Sequence, residues 1–172
     1  MIRHTLTALC LAGPALAQTP DCVVAAIDMR QSTAAAFHAQ ITALVSEADP
    51  TLAETARAAE DAQAAMRAVS RARVLHLIAQ DPSVLTPDTT LSTLMNLQAD
   101  TATLTELRNT NADFETLEAT REAAIARTQD NPDMEKIRAL TRSDLAEPIR
   151  TASETLSAEL ARADTQLADC LN

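Results

Sequence analysis

Tryptophan and tyrosine are absent from this chain of 172 residues, phenylalanine occurs only at Phe37 and Phe114, and the single glycine is Gly13. Each absence excludes something. Glycine supplies the positive-φ corners of tight turns, phosphate-cradling loops and many oxyanion loops. Beyond residue 13 the chain has little means of building hairpins or catalytic loops. Without large aromatics, a core has to be assembled from Ala, Leu, Ile, Val and Met, which implies helices that approach closely. Lysine occurs once, at Lys136, whereas arginine and alanine are abundant. That balance fits the coding bias of a high-GC bacterium.

The first residues read as an export leader. Arg3 and His4 form a short polar head, and Leu6, Leu9, Cys10 and Leu11 an apolar stretch. Gly13-Pro14 breaks the helix before Ala15-Leu16-Ala17, a small-x-small cleavage site. Cleavage after Ala17 leaves residues 18–172 as a single mature domain, destined for the periplasm or the medium. The apolar run is far short of the ~20 residues needed to cross a bilayer. Arg3 is the leader's only charged group, so its loss shifts the formal net charge from −10 to −11. Such an acidic chain is not expected to bind nucleic acid or anionic membrane surfaces.

Two cysteines remain, Cys22 and Cys170, one at each end. In an exported chain this pattern reads as one disulfide. The closed loop, 149 residues counting both cysteines, gives roughly 5 kcal/mol in the chain-entropy treatment, an upper figure.

The apolar spacing predicts four helices in an all-α, antiparallel, up-down-up-down four-helix bundle. Helix 1 spans Asp21–Ala48, with Val23, Ile27, Arg30, Ala34, Phe37, Ile41 and Leu44 on its seam. It ends at Asp49-Pro50, because the residue before proline is driven out of the helical region. Thr51 and Glu54 then form a capping-box pattern for helix 2, which carries Ala59, Ala62, Met66 and Val69 and ends near Gln80. Residues Asp81–Asp88 are the long connection. Helix 3 is expected from Thr90 to Gln129, with Leu94, Leu97, Leu104, Leu107, Phe114, Leu117 and Ile125 inward and Asn111 on the same face. Helix 4 is expected from Asp133 to Leu171, with Leu145, Ile149, Ala152, Leu156, Leu160, Ala163, Leu167 and Cys170 inward. This topology returns Cys170 to the level of Cys22.

The expected lengths are unequal: ~42–45 Å for helices 1 and 2, and ~60 Å for helices 3 and 4. Helix 3 should therefore leave the bundle near Glu118 and helix 4 enter it near Asp144. Asp144, Glu147 and Pro148 mark a break at that level. Residues Ala119–Ser143 become a helical hairpin tip that protrudes or folds over the open end. Its charges are Arg121, Arg127, Lys136, Arg138 and Arg142 against Glu122, Asp130, Asp133 and Glu135. That is a net of +1 on an otherwise acidic body. With Ile125, Met134, Ile137 and Leu140, those cations are the expected contact surface for a protein partner.

Chemistry has few places to reside. His38 and His76 read as half-buried seam histidines, although His38 near Met66 offers a soft-metal alternative. Neither has a glutamate three residues before it, as carboxylate-bridged di-iron bundles require. There is no CxxCH, P-loop, GxSxG or HExxH sequence. No cofactor, metal or catalytic residue is assigned. The expectation is a non-catalytic interaction module, adaptor or chaperone-like; the alternative is a small-ligand or metal-binding bundle in which Arg30 and Asn111 face each other inside.

Overall fold

The computed structural model describes residues 20–172, so the expected leader lies outside the described residues. Within them the chain is all-helical. The helices are α1 (Asp21–Ala48), α2 (Ala53–Gln80), α3 (Leu91–Met95), α4 (Thr101–Thr110), α5 (Phe114–Gln129), α6 (Asp133–Arg142) and α7 (Ala146–Leu171). None is long and apolar enough to cross a membrane.

The two long N-terminal helices stop by the same device. After α1, the Asp49 carboxylate accepts hydrogen bonds from the Thr51 N–H at 2.9 Å and the Thr51 hydroxyl at 2.6 Å. After α2, Asp81 does the same with Ser83, at 3.0 and 2.6 Å. Each Asp-Pro-Ser/Thr unit thus ends one helix and folds a single 3-10 turn, Pro50–Leu52 and Pro82–Val84. The proline blocks helix continuation and the carboxylate satisfies freed backbone donors. Asp49, not Thr51, is therefore the side chain that turns the chain into α2, and the expected capping box does not form.

Helix 3 is not one helix but three. The Thr90 hydroxyl caps α3 through the Thr93 N–H, and Asp100 caps α4 through the Thr103 N–H at 2.8 Å. Asn111 lies between α4 and α5, where its side-chain oxygen accepts from the Asp113 N–H. It is a hinge residue rather than part of an inward face. Helix 4 is likewise divided into α6 and α7 by the turn at 143–145. That break falls where expected, but no side chain caps α7, so the Asp144–Glu147 pattern is not a cap.

The division of helices 3 and 4 removes the length mismatch. Helix α5 does not leave the body at Glu118; it packs along α2 through its later turns, with Ala124 buried against Ala62 and Ala65. Helix α6 folds over the end where α1 turns into α2, and Ile137 is buried there with Val45, Leu52, Ala56 and Leu145. At the opposite end, Val23, Ala26 and Ile27 of α1 meet Val74 and Ile78 of α2, Leu91 and Leu94 of α3, and Ala163 and Leu167 of α7. Cys22 and Cys170 lie beside this cluster at disulfide distance, with Cα atoms 5.9 Å apart.

The helices meet in the order α5, α2, α1, α7. Packing is extensive between α5 and α2, between α2 and α1, and between α1 and α7, whereas α5 and α7 form no comparable interface. The bundle is open on that side.

Candidate functional site

Helix α3 identifies the open side. Its first N–H, that of Leu91, donates to the Asp164 carboxylate of α7 at 2.7 Å. At its other end, the Met95 carbonyl accepts from Arg73 Nη2 of α2 at 3.3 Å. The Gln31 amide of α1 reaches the Met95 sulfur at 3.9 Å. Three of the long helices thus turn Gln31, Arg73 and Asp164 toward the same short helix. One or two turns along the same helix faces stand Ala34 on α1, Met66 and Ser70 on α2, and Leu160 on α7. All four are half-buried.

A groove of about 540 Å³ lies between α2 and α5. Met66, Val69 and Ile125 supply its apolar wall, and Ala126 lets the two helices stay close. Arg73, Arg121, Ser70, Glu122 and Gln129 supply polar groups. The Nε of Arg73 and the Nε of Arg121 are both withdrawn from solvent without a hydrogen-bond acceptor. Arg121 Nη2 stands 3.8 Å from Glu122, too far for a hydrogen bond.

Arg67 Nη1 is likewise buried without a partner, but Arg67 does not line this groove, and Arg71 and Arg108 are paired. Arg71 grips Asp28 through Nε at 2.5 Å and Nη2 at 2.9 Å. Arg108 grips Glu118 in the same side-on manner, at 2.7 and 3.0 Å. In each case the arginine's hydrogen bonds hold the partner carboxyl below its ordinary range. In Arg73 and Arg121 the Nε of that edge is buried without an acceptor, while Arg73 Nη2 is engaged by the Met95 carbonyl.

The residues expected to contact a partner are distributed over several surroundings. Arg121 and Ile125 line the groove. Met134, Ile137 and Leu140 pack at the α6 end, Ile137 fully within the core and the other two half-buried beside it. Arg127 lies within 3.4 Å of Asp61. Lys136 pairs with Asp133 and Arg138 with Glu135 along α6, while Arg142 is exposed. Arg73 and Met66 were not in the expected set. Met66 belongs to the apolar face read for helix 2, and Arg73 stands two turns further along it.

Arg30 and Asn111 do not face each other. Asn111 borders a separate depression with Ala68, Arg71, Ala72 and His76. The His76 Nε2 is buried there without a partner. His38 sits instead in a cleft of about 170 Å³ with Glu60, Gln63 and Ile137. Burial and the nearby Arg67 cation hold its imidazole below the ordinary range, against the opposing pull of Glu60. His38 and Met66 line different cavities. Among the described residues no three His, Cys, Asp or Glu side chains are grouped to hold a metal ion.

No family model, curated protein or solved structure matches the chain.

Proposed function

We propose that this protein is an exported, non-catalytic helical module that binds a partner protein by receiving one of its amphipathic helices between α5 and α7. The observation that carries this reading is the missing α5–α7 interface. An up-down-up-down frame of α1, α2, α5 and α7 is held at one end by α3 and the cysteine pair, and at the other by α6. Between those ends the fourth helix–helix contact is left unmade, and a guest helix with an apolar stripe supplies it. Helix-in-groove docking needs apolar anchors spaced along one face. Met66, Ile125 and Leu160 are half-buried, the condition of side chains that a further helix would cover.

The shortage of glycine supports a binding role over catalysis, since a helix-only scaffold has few ways to place an oxyanion hole beside a nucleophile. Export is supported by the leader pattern and the cysteine pair. An adaptor or chaperone-like role follows for a rigid frame that receives another chain's helix.

Photo-crosslinking in cells that export the protein tests this reading. A crosslinking side chain at Ile125 and one at Leu160 should each give an adduct with the same second protein. The same group at Ala64, exposed on α2, should give none. Adducts confined to Ala64 would overturn the reading. So would adducts only with a second copy of this chain.

A further inference from the structure

We propose that the α2–α5 groove binds an amphiphilic monocarboxylate, its head held by Arg73 and Arg121 and its apolar chain lying on Met66, Val69, Ile125 and Ala126. This goes beyond the protein partner proposed above and does not depend on it.

The first ground is the pair of orphaned donors. Buried polar groups in folded proteins are almost always hydrogen-bonded, and a charged donor left without an acceptor is the costliest exception. Here two such donors, the Nε atoms of Arg73 and Arg121, belong to residues lining one groove. Neither is matched by the carboxylates nearby. Glu122 lies beyond hydrogen-bond distance of Arg121, and its side chain is directed largely to solvent, 74% exposed. A ligand carboxylate that draws either guanidinium toward the groove gains the side-on, two-point grip that Arg71 and Arg108 already give to Asp28 and Glu118.

The second ground is the contrast in charge. The chain as a whole is acidic, with a formal net charge of −10, yet this groove gathers two cations against one carboxylate. A general cation sink would show the reverse. The third ground is the apolar wall and the size. About 540 Å³ lies within the ~300–1,000 Å³ typical of small-ligand clefts, which are mostly apolar with a few placed polar groups. A bare inorganic anion would leave Met66, Val69 and Ile125 unused. An uncharged lipid would leave both arginines as they are. A carboxylate with an alkyl chain meets both demands.

Titration calorimetry on the disulfide-intact chain tests the proposal with three probes: decanoate, 1-decanol and inorganic phosphate. Decanoate should bind saturably at one site, and 1-decanol and phosphate at least tenfold more weakly. R73Q and R121Q should each weaken decanoate about tenfold or more, the scale of one charged hydrogen bond. R57Q, which removes an exposed cation on another face of α2, should not change it. Far-ultraviolet circular dichroism, unchanged in each variant, shows that the losses are local. Equal affinity for decanoate and 1-decanol would overturn the proposal, as would equal affinity for phosphate, or decanoate binding that survives both arginine changes. Failure here with the crosslinks at Ile125 and Leu160 still formed would remove the small-ligand site alone.

Discussion

Helices α7 and α5 flank the central α1–α2 pair on opposite sides, and the two flanks are built differently. On the α1–α7 flank, Leu167 and Ala163 are completely buried among Val23, Ala26 and Ile27, and the cysteine pair sits at the end. On the α2–α5 flank, the contact midway is alanine on alanine, Ala124 against Ala62 and Ala65. Its large apolar group, Phe114 with Val69 and Leu107, is confined to the start of α5. Alanine brings backbones close but covers little apolar area, so it positions a helix more than it stabilises one. The first flank is thus packed and clasped at its cysteine end, with a smaller cleft of about 310 Å³ between Phe37 and Leu156 further along. The other is pinned at Phe114, with a groove and two arginines whose Nε atoms lack acceptors beyond the pin. The proposed binding groove lies where packing is thin.

Removing the pin tests that contrast most severely. Phe114 is completely buried, and Phe114→Ala should cost about 3–5 kcal/mol, the usual range for emptying an aromatic site in a core. Urea unfolding gives the magnitude, and hydrogen exchange gives the location. Amides of α4 and α5 should lose protection while those of α1 and α7 keep theirs. Equal loss in α1 would mean that the two flanks open as one unit.

The clasp comes next in size. Thiol labelling without reductant should find neither Cys22 nor Cys170 free, and two labelled thiols would remove the clasp from the comparison. Cys170→Ser should lower stability by about 2–4 kcal/mol without reducing helical circular dichroism, and the first amides to exchange faster should be at the end of α7. Loss of protection beginning in α5 would reverse the ranking of the flanks.

The smallest effect concerns the junction between the flanks, where His38 faces Arg67 and Glu60. Its folded-state imidazole is held below the ordinary 6.5, so the unfolded chain takes up that proton more readily than the folded one. Its contribution to stability is complete above pH 6.5 and falls as the pH drops beneath that value. Asp28 and Glu118, held down by Arg71 and Arg108, lose theirs in a lower window as acid protonates them. His38→Gln should flatten the upper step in a stability–pH curve and leave the lower one. A curve unchanged from wild type would mean that the imidazole's surroundings are as watery folded as unfolded.

The two flanks also differ in how clearly the sequence announced them. The bounds of α1, the end of α2 and the α7 seam at Leu145, Ala152, Ala163 and Leu167 were legible, because proline punctuates the chain and the apolar spacing is sustained. The segment 91–129 was not. Two of its breaks are made by Asp100 and Asn111, whose side chains take backbone N–H groups without the proline or glycine that signals a stop. Arg121 and Ile125, which line the groove, are among the expected contact residues because of the segment's charge balance and its expected protrusion. Met66 reads as part of the helix 2 apolar face rather than as a contact residue, and Arg73, a charged residue two turns further on, gives no signal in the apolar spacing.

The cysteine pair has one more consequence. With Cys22 joined to Cys170, the covalent skeleton between them is a ring rather than a line. The connection at Thr86–Asp88, exposed and without helical structure, is the natural place for a protease to enter. One cut there opens the ring without releasing anything. The pieces stay tethered and pre-aligned, and the scission becomes visible on a gel only after reduction. Such a molecule can be nicked and remain in one piece.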